Sequence, residues 1–477
     1  MTARPIRDPA PALIAGLKAI VGPNGWIADP ADQERYLVDE RRLFRGRTPL
    51  VVRPGTTDEV SRVVALCAAH DAAIVPQGGN TGLVGGGVPY ESGDQIVLSL
   101  ARMNRIRSVS ALDYAMTVDA GCILVDIQEA ARRVDRLFPL SLAAEGTCTI
   151  GGNLSTNAGG VNVLRYGSAR DLVLGLEVVL ADGRIWNGLR GLRKDNTGYD
   201  LKHVFMGAEG TLGIITGAVL KLFPLPRQVR TGFVGVPSVR AAVDLLSRLQ
   251  GATGGRITAF EVLPRFGLDL VLTHIEGTKD PLPAAHPWYV LFDASSGDDG
   301  EALTTSLESA LAAALDAGLV VDATLAVSEA QARALWRIRE TLPEAQKPAG
   351  GSIKHDVSVP ITRFAELIER AQAAVLATVP GVRPLPFGHL GDGNVHLNFS
   401  QPLGGDTAAF MAEWERVNHL VHDIVHELGG SISAEHGLGR LKREEIRRYK
   451  PPLELELMRT LKTALDPKGL LNPGKVL

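Results

Sequence analysis

Pro76-Gln77-Gly78-Gly79-Asn80-Thr81-Gly82, running on to Gly85-Gly86-Gly87, decides how the first half of this chain is read. It follows Ala73-Ile74-Val75, an apolar β-prone run, so a bare glycine-rich loop sits at a strand end. Glycine is conformationally costly inside a regular element. Such a cluster therefore marks backbone that takes positive φ or lies against something flat or charged. Two more clusters repeat the pattern. One runs from Gly146-Thr147-Cys148-Thr149-Ile150-Gly151-Gly152-Asn153 to Asn157-Ala158-Gly159-Gly160, and the other is Gly207-Ala208-Glu209-Gly210-Thr211-Leu212-Gly213-Ile214-Ile215-Thr216. Each carries Asn, Thr or Ser, so short side chains and backbone amides could cradle a diphosphate without a cation. One cluster alone could be a tight turn of an α/β protein; three point to a large dinucleotide. The spacing Gly79-Asn80-Thr81-Gly82-Leu83-Val84-Gly85 is not GxGxxG, and no GxxxxGK[ST] occurs, so the cradle is neither a Rossmann fingerprint nor a P-loop.

Outward from the first cluster, Leu50 to Arg53 reads as a strand. Thr57 to His70 reads as a helix capped by Thr57 with Glu59 in its first turn, and Ala73 to Pro76 as a strand. Further strands are expected at Ile96–Leu98, Ala115–Val118, Leu176–Leu180 before an Asp182-Gly183 turn, and Leu212–Leu222. Residues 46–225 thus form a mixed-sheet domain, preceded by a helical segment, 1–45, with an amphipathic helix at 10–21. After Phe223-Pro224-Leu225-Pro226 the composition turns alanine-rich and helical, as in Arg240–Leu249 and Gly300–Ala317. Strand-like Tyr289–Phe292 and Ser352–Val359 interrupt it, which predicts an antiparallel sheet with helices on one face. The second domain spans 226–410, and 411–477 forms a C-terminal segment.

The chain's 477 residues exceed a single core, which stops growing near about 250–300 residues. Its 50 basic and 53 acidic residues leave a net charge of −3, too little to attract nucleic acid or anionic lipid. Cys67, Cys122 and Cys148 lie apart without a CxxC pair, which argues against disulfides and thiolate metal sites and for a reducing compartment. Arg4 and Arg7 precede an apolar run, but two prolines and Lys18 interrupt it too soon for a secretory core. No stretch is long and apolar enough to span a membrane. A cytoplasmic location is expected.

Two clusters in the second half carry chemistry. In Phe387-Gly388-His389-Leu390-Gly391-Asp392-Gly393-Asn394-Val395-His396-Leu397-Asn398, two histidines flank a glycine-rich turn, and His396 shares a strand face with Asn398. Ser433-Ala434-Glu435-His436-Gly437 sets a carboxylate beside an imidazole. Two imidazoles and a carboxylate make a normal ligand set for a divalent metal with open positions, zinc or a neighbouring transition ion. A lone histidine is more often a surface or core residue. His422 and His426 lie four apart without the glutamate of HExxH and read as a solvated helix face.

The three glycine clusters, with Arg193-Lys194-Asp195-Asn196-Thr197-Gly198-Tyr199-Asp200, resemble the FAD domain of the vanillyl-alcohol-oxidase/p-cresol-methylhydroxylase superfamily, and within it the D-lactate and D-2-hydroxyglutarate dehydrogenase group. The resemblance runs from about Arg42 to Leu477. It implies an α+β fold: a p-cresol-methylhydroxylase-type FAD domain of two α/β subdomains, an α+β cap with an antiparallel sheet, and a small C-terminal helical segment. It also implies FAD, held without a covalent bond because the first loop has no histidine. The cofactor contacts it implies fall on Pro76, Gln77, Gly78, Gly79, Asn80, Thr81 and Gly82; on Gly146, Gly151, Gly152, Asn153, Thr156, Asn157 and Gly159; on Glu209, Gly210, Gly213 and Ile215; and on Asn472 in the C-terminal return.

The same resemblance makes His389, His396 and Glu435 metal ligands, His436 the catalytic base, and Arg339, Lys354 and Asn398 the holders of the substrate acid. Pro343 departs from it, standing where the 2-hydroxyglutarate enzymes have a hydroxyl residue. The implied reaction takes a D-2-hydroxy acid to its 2-oxo acid with hydride transfer to flavin N5. Electrons would pass on to an electron-transfer flavoprotein, a quinone or a cytochrome, and a homodimer is a family expectation. Alternatives are a D-lactate dehydrogenase or glycolate-oxidase-like enzyme, a non-redox flavoenzyme like alkyl-glycerone-phosphate synthase, and a flavin-binding partner protein without turnover.

Overall fold

The computed structural model describes residues 9–477, so Arg4 and Arg7 lie outside the described residues. The chain divides into two units. The first runs to Ala158 and adds Ser168–Pro224 and His436–Leu477; the second joins Gly159–Gly167 to Leu225–Glu435.

In the first unit, a four-stranded sheet is ordered Trp26–Ile27, Val51–Val52, Gln95–Ser99, Ala73–Gln77, the last three parallel. Parallel neighbours need a crossover, and the helix Thr57–Ala69 supplies it between Val51–Val52 and Ala73–Gln77. Its buried Val60, Val63, Val64 and Cys67 follow the 3-and-4 spacing of an apolar helix stripe. The expected cap at Thr57 is corrected. Thr56, in extended backbone, accepts from the Glu59 amide at 3.1 Å, while the Thr57 hydroxyl donates to Glu177 at 2.7 Å. A second, antiparallel sheet is ordered Ile106–Ser110, Ala115–Asp119, Ile214–Lys221, Val173–Val179, Ile185–Gly188, and the same helix lies against its Val173–Val179 strand. The expected Asp182-Gly183 turn joins its last two strands, with Gly183 at φ +89°.

The C-terminus returns to the first sheet. Ile74 donates to the Leu470 carbonyl and accepts from the Asn472 amide, both at 2.8 Å, so Leu471 pairs as one more parallel rung. A buried ion pair locks this return. Asp466 accepts from Lys462 at 2.5 Å and from the amides of Leu470 and Leu471 at 3.0 and 2.8 Å, and Lys462 also donates to the carbonyls of Thr211 and Leu471.

The second unit is one seven-stranded antiparallel sheet, ordered Asp322–Leu325, Gln228–Val236, Trp288–Ser296, Ile257–Pro264, Arg383–His389, Asn394–Ser400, Ser352–Ser358. On one face Phe233, Leu263, Tyr289, Leu291, Leu385 and Phe387 pack with Leu268, Val271, Leu335 and Ile338 of the helices Arg265–His274 and Glu329–Glu340. On the other face His355 meets Phe399 and His422 edge-on, at ring separations of 5.9 and 5.7 Å. That contact corrects the solvated reading of His422, which is buried on the Trp414–Glu427 helix; His426 is exposed. The three cysteines are buried and form no disulfide among the described residues, and no helix among those residues is long and apolar enough to cross a membrane.

The C-terminal lock gives a direct test. Asp466→Ala strands two buried amides and the Lys462 ammonium, and breaking one side of a buried pair costs about 3–5 kcal/mol. Urea unfolding should register that loss, with the C-terminal segment cleaved first in limited proteolysis.

Candidate functional site

The glycine clusters converge in the first unit, except that Gly159 and Gly160 at the end of the second cluster belong to the second unit. A Cβ on Gly79 would lie 2.2 Å from the Thr147 carbonyl oxygen, a contact only glycine permits. Gly207 and Glu209 donate to the Leu154 and Ser155 carbonyls at 3.0 and 2.8 Å, joining the second cluster to the third. The Asn472 side-chain amide closes the ring, donating to the carbonyls of Gly86 and Glu209 at 3.0 and 2.8 Å. The Glu209 carboxylate accepts from the Leu438 and Gly439 amides at 2.7 and 2.9 Å. Its burial pushes its pKa up, and those two donors and Lys442 oppose the shift. Gly437, at φ +77°, has no room for a Cβ, which would meet that carboxylate at 2.7 Å.

Asn80, Asn157, Glu209 and Asn472 all hold left-handed backbone, with φ of 57°, 51°, 50° and 44°. Such conformations persist where the surroundings impose them, and they gather at ligand sites. Asn80 is fixed by donating to the Arg35 and Val38 carbonyls, Asn157 by accepting from the Arg170 amide, and Gln77 by donating to the Tyr36 and Gly87 carbonyls. Gly151, Gly152 and Asn153 lie in the short helix Ile150–Ser155, capped by Thr156, and the buried Gly213 immediately precedes the strand Ile214–Lys221 that holds the buried Ile215. Pro76 and Gly210 pack together, Gly78 meets Thr149, and Thr81, Gly82 and Gly146 lie in loops, the two glycines exposed. Buried Gln77 Oε1, Thr149 Oγ1, Asn153 Oδ1 and Asn472 Oδ1 have no hydrogen-bond partner within the protein. A dinucleotide, with its hydroxyls and ring N–H, is the chemistry that satisfies such a set.

The second constellation is made by strand register. Residues directly opposed in an antiparallel ladder share a face, and the pairs here are Glu261 with His389, Phe387 with His396, Asp356 with His396, and Lys354 with Asn398. His389 Nε2 lies 3.8 Å and His396 Nε2 4.0 Å from the two Glu435 carboxylate oxygens. One donor atom from each of the three falls within 4.8 Å of the others. Glu435 is held from two sides: its amide donates to Asp356 at 2.9 Å, and its carboxylate accepts from the Gly160 amide at 2.6 Å. Gly159 therefore sits beside the acid, where a Cβ would stand 2.7 Å from it.

Burial is severe here. It raises the Glu435 pKa, and Asp356 adds to the shift while His389 opposes it. His389 is driven down by burial, yet Glu261 and then Glu435 win and hold it up to about 9. Glu261, with no exposed surface, is pushed up by burial but pulled down to about 2 by Arg339 and His389. A carboxylate desolvated beside two imidazoles is the electrostatic state that a divalent cation relieves, so the donor set fits one.

Arg339 is buried, its Nε donating to Glu261 at 2.6 Å and its guanidinium 4.9 Å from the Phe387 ring. Asn398 donates to Gln346 at 2.9 Å. Lys354 is half-buried on the same face, and Pro343 is exposed on the short helix Leu342–Ala345. His436 follows Glu435 in the chain, at the start of the C-terminal part of the first unit. Sequence reasoning missed Glu261 and the anchoring role of Asp356. The signal for Glu261 was a lone charge in the otherwise apolar strand Ile257–Pro264.

With the geometry in place, comparison with known proteins is direct. Residues 48–188 match the family model described as an FAD binding domain, and residues 225–476 that of the C-terminal domain of FAD linked oxidases. A mitochondrial D-2-hydroxyglutarate dehydrogenase of Rattus norvegicus is 40% identical over 97% of this chain and 84% of its own. The Arabidopsis thaliana enzyme of that name is 39% identical over 97% and 81%, and a putative mitochondrial D-lactate dehydrogenase of Schizosaccharomyces pombe 36% over 96% and 88%. Among solved structures, p-cresol methylhydroxylase is similar with a TM-score of 0.73, at 16% identity over 98% of this chain and 96% of that one. Alkyldihydroxyacetonephosphate synthase reaches 0.74, at 19% identity over 99% and 87%. The expected α+β, p-cresol-methylhydroxylase-type fold is borne out. The expected cytoplasmic location is corrected: the rat, Arabidopsis and fission-yeast relatives are mitochondrial, which points away from the cytoplasm.

The cradle predicts that Gly79→Ala keeps its fold by far-UV circular dichroism but loses flavin. Overpacking costs typically about 1–3 kcal/mol, so FAD affinity should fall roughly ten- to a hundredfold, read from flavin absorbance per protein after desalting.

Proposed function

The chain belongs to the FAD linked oxidases, as an FAD-dependent oxidoreductase of their D-2-hydroxyacid dehydrogenase group, and from that premise we propose that it oxidises D-2-hydroxyglutarate or a related D-2-hydroxy acid to the 2-oxo acid. The reading is carried by the meeting of His389, His396 and Glu435 on the sheet face that also bears Lys354 and Asn398. FAD, held without a covalent bond by the three glycine clusters and Asn472, supplies a hydride acceptor. A divalent ion on His389, His396 and Glu435, zinc being favoured by the donor set, supplies Lewis acidity.

The protein's own groups do the rest. Lys354, Asn398 and Arg339 orient the acid, and the imidazole of His436 takes the 2-hydroxyl proton. The electron acceptor is an electron-transfer flavoprotein, a quinone or a cytochrome, and the assembly a homodimer. One observation favours a second reading, with D-lactate or another monocarboxylate as substrate. Pro343 offers no donor to a second carboxylate, and the Nε of Arg339 is already committed to Glu261.

A dye-coupled assay over D- and L-2-hydroxy acids, with and without a chelator, tests both readings. D-acids should reduce the dye and lose that ability on metal removal; preference for L-acids sinks the proposal. His436→Ala should keep FAD yet slow anaerobic flavin reduction on the order of a hundredfold or more. Pro343→Thr, by restoring a hydroxyl donor to a charged group, should raise kcat/KM for D-2-hydroxyglutarate relative to D-lactate by about tenfold.

A further inference from the structure

Glu261 lies outside the ligand set, the base and the substrate holders, yet two of those groups meet on it. Its Oε1 is 2.6 Å from His389 Nδ1, and its Oε2 accepts from Arg339 Nε at 2.6 Å. All three groups are buried, and Glu261 has no exposed surface. With Oε2 taken by Arg339, Oε1 faces Nδ1 as the acceptor for that ring nitrogen. The other ring nitrogen, Nε2, is the one turned toward Glu435.

Resting on the metal reading above, we propose that Glu261 is a positioning residue for the metal centre. It holds His389 in the ring orientation that leaves Nε2 free to bind the ion, and Arg339, donating to the other oxygen, fixes the carboxylate in place. The ladder supports this geometrically, because Glu261 and His389 are directly opposed across two strands and cannot drift apart without breaking the sheet. Partners of this kind on a ligand imidazole typically change metal affinity 10–100-fold when removed. A buried ion pair that merely filled the core would affect stability alone, which sets the test.

The FAD-loaded protein is stripped of metal and titrated with Zn²⁺ against a chromogenic chelator. Glu261→Gln should weaken Zn²⁺ binding on the order of 10–100-fold with flavin content unchanged. Glu261→Asp, which keeps the charge, should recover part of the loss. Should Glu261→Gln fold poorly by leaving Arg339 unpaired, the double variant Glu261→Gln with Arg339→Met removes both charges together and should show the same weakening. Wild-type Zn²⁺ affinity in a folded variant lacking the carboxylate, even one of lowered Tm, overturns the proposal and leaves the metal reading intact. A wild-type protein that binds no Zn²⁺ overturns both.

Discussion

The register of the antiparallel sheet in the second unit is the constraint on which the rest depends. Side chains alternate across a strand, so a slip of one residue between Asn394–Ser400 and either neighbour would send His396 and Asn398 to the far face, among Phe399 and His355. The apolar residues of the two faces forbid that slip. Leu385 and Phe387 must join the core under the helices Arg265–His274 and Glu329–Glu340, while Leu397 and Phe399 must fill the other side. Hydrophobic burial, worth roughly 1.5–3 kcal/mol per large side chain, thus fixes the placement of polar groups that contribute little to folding themselves.

In the first unit the equivalent constraint is close approach of backbone. Gly79 over the Thr147 carbonyl and Gly437 over the Glu209 carboxylate are contacts a Cβ would prevent. That is why the glycine clusters were legible in the sequence: the composition of those loops records the steric requirement directly. The strands Val51–Val52, Ala73–Gln77 and Gln95–Ser99 and the helix between the first two were legible from periodicity for the same local reason, while their order in the sheet was not. The choice between Thr56 and Thr57 as cap was not, because both residues suit the position and only the extended backbone at Thr56 decides.

Long-range pairing was the least legible. His389, His396 and Glu435 could be picked out as donors, but nothing local says that Asp356 takes the Glu435 amide or that Glu261 meets His389. Those partners come from strands remote in sequence, and strand order is a property of the whole sheet. His422 failed for a related reason. It shares the buried side of its helix with Val421 and Val425, so spacing alone allowed burial, but an imidazole reads as polar and its partner His355 lies on a strand remote in sequence.

The three-member chain of Arg339, Glu261 and His389 is an expensive way to fill a core. Taking charges out of water costs several kcal/mol per ion, and well-packed apolar residues of equal volume are often neutral or more stable. Phe387, Leu385 and Ile338 close by show that this region can be packed with hydrocarbon. A protein with a marginal net stability of about 5–15 kcal/mol that nevertheless keeps a fully buried carboxylate between a guanidinium and an imidazole needs a use for the arrangement beyond packing. Orientation is such a use. An imidazole on a strand can rotate about its side-chain bonds, and a carboxylate directly opposed in the ladder removes that freedom at the ring nitrogen facing away from Glu435. The stability forgone at Glu261 is then the cost of an imidazole that points in one direction.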